Sequence, residues 1–107
     1  MGYRSEIIAG VPLKDKSKAL EIIKDWEWEA EDDEMYYMRG DYWKWYDSYS
    51  EVKKFEDFID KDDKRFLLAQ GEDGACVSEL GYPYDYGVQQ VSIIEHNINF
   101  KERKYER

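Results

Sequence analysis

A chain of 107 residues that is 42% hydrophobic and 17% aromatic has the length of one domain and enough apolar side chain for a core. Its 25 acidic against 16 basic side chains, a net charge of −9, leave no extended lysine and arginine stripe to displace counterions from phosphates, which disfavours direct binding of duplex nucleic acid. Cys76 has no second cysteine to pair with, and neither a run of about 18 apolar residues nor a signal-peptide pattern occurs, so no membrane span is expected and a reducing cytoplasm is the expected location.

Residues Tyr3 to Val11 alternate as a strand, with Tyr3, Ser5, Ile7, Ala9 and Val11 on one face, and Pro12 ends it. Asp15 then caps a helix running to about Trp28, because Ala19, Leu20, Ile22, Ile23 and Trp26 recur at helical spacing. The run from Glu27 to Glu34 places six carboxylates in eight residues: Glu27, Glu29, Glu31, Asp32, Asp33 and Glu34. So much like charge opposes a helix end, and the run reads as an exposed acidic loop. Aromatic-rich Met35 to Arg39 and Tyr42 to Tyr49 read as a hairpin turning at Gly40-Asp41. The tripeptide Arg39-Gly40-Asp41 is read as that turn and not as an adhesion signal.

Ser50 caps a second helix whose apolar stripe is Val52, Phe55, Phe58 and Ile59, and Asp60 to Lys64 ends it. Arg65 to Gln70 reads as a buried strand, Gly71 to Gly87 as a long irregular segment, and Val88 to Phe100 as strand. The tail from Lys101 to Arg107 is expected to fray. This order predicts a single α+β domain over residues 1–107: a mostly antiparallel sheet of about five strands with two helices on one face, a ferredoxin-like variant. Ile22, Ile23, Phe55, Phe58 and Leu68 are the expected core between helices and sheet.

No cofactor is called for. Structural zinc needs four ligands from cysteine and histidine, and only Cys76 and His96 are available. Asp60, Asp62 and Asp63 start like a calcium loop, but Arg65 and Gly71 stand where glycine and glutamate belong. The Gly71-Glu72-Asp73-Gly74 turn lacks the lysine and hydroxyl of a phosphate loop. No catalytic constellation emerges, so the chain is expected to bind and not to catalyse.

The aromatic side chains suit binding. Alternation along Tyr42 to Tyr49 places Trp43, Trp45 and Tyr49 on one face and Tyr42 and Tyr46 on the other, with Tyr82, Tyr84 and Tyr86 in the irregular segment. Tryptophan and tyrosine dominate binding hot spots and stack on nucleobases.

The opening Met1-Gly2-Tyr3-Arg4-Ser5-Glu6, the central Lys44-Trp45-Tyr46-Asp47-Ser48-Tyr49 and the later Gly71-Glu72-Asp73 resemble a family of small bacteriophage proteins over about two thirds of the chain. Ala69 stands where the resemblance leads one to expect an arginine. The resemblance implies provenance, the host cell cytoplasm as location, and, by analogy with phage accessory proteins, a stoichiometric anti-defence inhibitor. Its expected partner is a host protein with a basic surface, met by Glu27, Glu29, Glu31, Asp32, Asp33 and Glu34 together with Trp43 and Trp45, the carboxylates standing in for phosphates. The alternative is a binder that sequesters a small nucleotide ligand, using Arg4, Arg39 and Lys44 as local cations and Tyr42, Tyr46, Tyr82 and Tyr84 as stacking rings. Homo-oligomerisation is left open.

Overall fold

A computed structural model describes residues 3–88 and 98–103. Strand β1 (Ser5–Pro12) is followed by a 3-10 turn (Leu13–Asp15) and helix α1 (Lys16–Ile22). The hairpin of β2 (Trp28–Glu31) and β3 (Met35–Trp43) leads to helix α2 (Ser50–Asp60). Strands β4 (Phe66–Gly71) and β5 (Cys76–Leu80), a 3-10 turn (Pro83–Tyr86) and β6 (Lys101–Glu102) complete the described elements.

The sheet order is β5-β4-β1-β3-β2-β6, and every pairing is antiparallel. Its inner part, β4-β1-β3-β2 with α1 between β1 and β2 and α2 between β3 and β4, is the double split β-α-β arrangement of ferredoxin-like folds. The predicted class holds; the described strands number six instead of about five because β5 and β6 extend the two edges.

Period-two alternation sorts the sheet into two buried faces. Ile7, Ala9, Val11, Tyr36, Met38, Leu67 and Ala69 meet Ala19, Ile23, Val52, Phe55 and Ile59 from the helix side. Ile8, Ala30, Met35, Tyr37, Phe66 and Leu68 face the other way, under Val88, Tyr86, Ile98 and Phe100. Tyr86 stacks on Phe66 with ring centroids 4.9 Å apart. Leu68 is therefore buried away from the helices, one residue out of phase with the predicted core, whereas Ile23 and Phe55 sit within it. Ile22 and Phe58 are half-buried at its margin.

Five segments depart from the sequence reading. Helix α1 stops at Ile22 because Ile23 turns to extended backbone and Trp26 folds back into the core, its Nε1–H donating to the Ile23 carbonyl at 3.0 Å. The acidic run is not a loop: Trp28 and Ala30 alternate with Glu29 and Glu31 along β2, and only residues 32–34 form the turn. Gly40-Asp41 is not a turn, since β3 continues through both. A Cβ at Gly40 would stand 2.4 Å from the Trp43 indole, so this glycine lets the ring lie across the strand. Gly71 to Gly87 contains β5 and a 3-10 turn, and the tail reading fails at 101–103, where Lys101 and Glu102 pair with β2 and the Arg103 N–H donates to the Glu27 carbonyl at 2.9 Å. Most of the predicted strand from Val88 to Phe100, with His96, lies outside the described residues, as do positions 104–107.

Candidate functional site

The start of β1, the end of β3, the turn after β4 and the first turn of α2 meet at one end of the sheet. The Tyr3 hydroxyl donates to the Asp73 carboxylate, which lowers the carboxyl and raises the phenol. The Glu72 N–H donates to the Arg4 carbonyl at 2.9 Å, and the Tyr46 hydroxyl donates to the Tyr3 carbonyl at 2.9 Å. Residues 3–6, 46 and 72–73 are far apart in sequence and adjacent here.

A β-bulge shapes the centre of this end. Ser5 pairs with Trp43 and Ile7 with Gly40, so Asp41 and Tyr42 together oppose Glu6. Tyr42 takes φ +54°, a left-handed conformation costly for a residue with a Cβ. The extra residue turns Trp43 onto the helix side, where its ring centroid lies 4.7 Å from that of Trp26, and leaves Tyr42 69% exposed. Strict alternation from Tyr42 to Tyr49 does not hold, because β3 ends at Trp43 and residues 44–49 form a loop. Trp45 returns to the core beside Phe55 and donates from Nε1 to Glu56 at 3.1 Å, while Tyr46 and Tyr49 stack edge to face with centroids 5.4 Å apart.

Two adjoining clefts open there. The larger, about 340 Å³, is walled by Tyr42, Trp43, Trp45 and Tyr49 and by Val52 of α2, with Arg4 and Lys44 as cations and Asp25 and Glu51 as acids. The smaller, about 260 Å³, is lined by Ser5, Glu6, Gln70, Glu72 and the backbone of Gly71 and Gly74. Arg4 and Tyr42 line both. The Arg4 guanidinium donates from Nη1 to the Tyr42 carbonyl at 3.3 Å, which ties it to the bulge.

Of the candidate ligand residues, Arg4, Tyr42 and Lys44 converge on the larger cleft, with Trp43 and Trp45. Tyr46 braces the Tyr3 backbone instead of lining it. Arg39 is elsewhere: it is buried on the sheet face away from the helices, pairing with Asp41 at 3.0 Å and Glu6 at 3.4 Å and lying 4.8 Å over the Trp28 ring. Burial raises the Asp41 carboxyl against the pull of that guanidinium. Tyr82 and Tyr84 are exposed, Tyr82 just before the second 3-10 turn and Tyr84 within it, and Tyr82 lines a separate cleft with Asp60, Asp62 and Asp63. The sequence reading missed Asp25, Glu51, Gln70 and Glu72 as cleft residues, and nothing in their spacing marks them.

Most carboxylates of the acidic run have partners inside the protein. Glu27 accepts from the Trp43 Nε1–H at 2.9 Å and the Asp41 N–H at 2.8 Å. Glu29 accepts from the Tyr36 hydroxyl at 2.8 Å and lies 3.6 Å from Arg103, and Glu31 pairs with Lys16 at 3.1 Å. Asp32 accepts from the Glu34 and Met35 N–H groups, both at 2.8 Å, and from the Tyr37 hydroxyl at 3.0 Å. Asp33 and Glu34 stand exposed at the hairpin tip.

No group of three or more histidine, cysteine or acidic side chains is arranged to hold a metal ion among the described residues, and no described helix is long and apolar enough to cross a membrane. No family model, no curated protein and no solved structure matches the chain.

Proposed function

We propose that the chain is a phage-type accessory binding protein whose larger cleft holds a small nucleotide-class ligand. The observation that carries this reading is the convergence of Arg4 and Lys44 with the rings of Tyr42, Trp43 and Tyr49 on one 340 Å³ cleft, in a protein of net charge −9. Two cations in the lining offer partners to an anionic group beside the two acids, and flat rings favour a planar group. Asp25 and Glu51 supply acceptors for sugar hydroxyls or base amino groups. A nucleotide carries all of these features, and its retention without turnover is sequestration.

The test is titration of the purified chain with a panel of linear and cyclic nucleotides while tryptophan fluorescence is followed. Saturable quenching is expected for at least one member. Alanine at Arg4 or Lys44 should weaken that binding about tenfold, the scale of one lost charge-assisted hydrogen bond. A flat response across the panel would contradict the reading.

A second reading, docking on a basic host protein surface, draws on the exposed hairpin tip at Asp33 and Glu34 and on the net charge. It has less support from Glu27, Glu29, Glu31 and Asp32, whose carboxylates are engaged by the protein's own donors.

A further inference from the structure

The two clefts share one wall. Arg4 and Tyr42 line both, and the Arg4 Nη1 bond to the Tyr42 carbonyl fixes the guanidinium at the boundary. The bulge holds Tyr42 at φ +54°, and its ring stands 69% exposed between the clefts. A left-handed tyrosine carries strain that a glycine at the same point would avoid, and such strain concentrates at binding sites.

The charges on either side are unequal. The larger cleft sets Arg4 and Lys44 against Asp25 and Glu51, while the smaller is lined by Arg4 with Glu6 and Glu72, Glu6 being held from behind by Arg39 at 3.4 Å. A phosphate deep in the smaller cleft would face the Glu72 carboxylate and a Glu6 carboxylate only partly offset by Arg39. A base or sugar there would find acceptor oxygens on Glu6 and Glu72 and, in Tyr42, a ring to stack on. The single place where an anion meets a cation accessible from both sides is Arg4.

We propose that the ligand is a dinucleotide: one nucleoside end stacks in the larger cleft, the other enters the smaller one, Tyr42 stands between them, and Arg4 takes the phosphate that joins them. This rests on the nucleotide reading above and names its substrate class.

Calorimetric titration of the full chain with the ribonucleoside monophosphates of adenine, guanine, cytosine and uracil, and with the linear dinucleotide of each base, decides it. At least one dinucleotide is expected to bind one-to-one about tenfold or more tighter than its mononucleotide, as two linked contacts require. Tyr42→Gly, which accepts the left-handed backbone and removes only the ring, should abolish that advantage while circular dichroism shows an unchanged fold. Mononucleotide binding with no dinucleotide advantage, or an advantage that survives Tyr42→Gly, overturns the dinucleotide assignment and leaves the nucleotide reading standing. Absence of binding by every probe overturns the dinucleotide assignment, and a flat response to the linear and cyclic panel as well overturns the nucleotide reading with it.

Discussion

Asp32 shows how a residue that looks like one charge among many acts as a local organiser. Its carboxylate takes the Glu34 and Met35 N–H groups and the Tyr37 hydroxyl, closing the turn between β2 and β3. Those backbone donors hold its carboxyl below the ordinary value of 3.8, and burial with the same hydrogen bond raises the Tyr37 phenol. Asp32→Ala should cost about 1 kcal/mol at neutral pH, comparable to losing a helix cap. A depressed carboxyl stabilises the fold above its unfolded value and loses that contribution as pH falls through its folded value. The gap in denaturant midpoint between wild type and Asp32→Ala should therefore narrow as the pH falls below the ordinary carboxylate value. A gap that stays constant with pH would remove the charge from the account. Gly40 was misread for a related reason: a glycine beside an aspartate has the composition of a turn, and only the indole lying over it reveals that the missing Cβ makes room.

Elements with one strong periodic signal were legible, and those set by their neighbours were not. Helix α2 appears within a residue of its predicted start because Val52, Phe55 and Ile59 fall on one buried stripe. Strand β4 appears because Phe66 to Ala69 are buried on both faces. By contrast, β5 buries only Ser78 and Leu80 in part and has no apolar alternation in its sequence, so its hydrogen bonds to β4 define it. The alternation Trp28-Glu29-Ala30-Glu31 was present in the sequence, but like-charge density outweighed it; partners at Tyr36, Arg103 and Lys16 supply the neutralisation that local reasoning lacked. The α2 stripe also makes a graded prediction. Phe55 is fully buried against Trp26, Trp45 and Phe58, so Phe55→Ala should cost about 3 to 5 kcal/mol. Phe58 is half-buried, with the Arg65 guanidinium 4.0 Å over its ring, and Phe58→Ala should cost about 1 to 2 kcal/mol. Equal losses in urea unfolding would contradict the packing described for this helix.

At the scale of the whole molecule, the predicted order strand, helix, hairpin, helix, strand, strand matched the ferredoxin-like class, but its hairpin was misplaced: the observed pair is β2 with β3, not two strands meeting at Gly40-Asp41. The site was only partly legible. Arg4, Tyr42 and Lys44 could be singled out by type, but their meeting depends on β1 and β3 pairing around a bulge that no local pattern announces, and Arg39 was indistinguishable from them until its burial beside Glu6 and Asp41 was seen. The central claim is that a nucleotide-class ligand occupies the end of the sheet where these segments meet. Amide and indole NMR of the labelled chain during titration with the tightest-binding nucleotide of the panel tests it most directly. Saturable shifts are expected at Arg4, Tyr42, Lys44 and the indole N–H groups of Trp43 and Trp45, with Tyr82 and Tyr84 unmoved. Shifts centred on Tyr82 and Tyr84, or on the hairpin tip at Asp33 and Glu34 with the cleft silent, would contradict it.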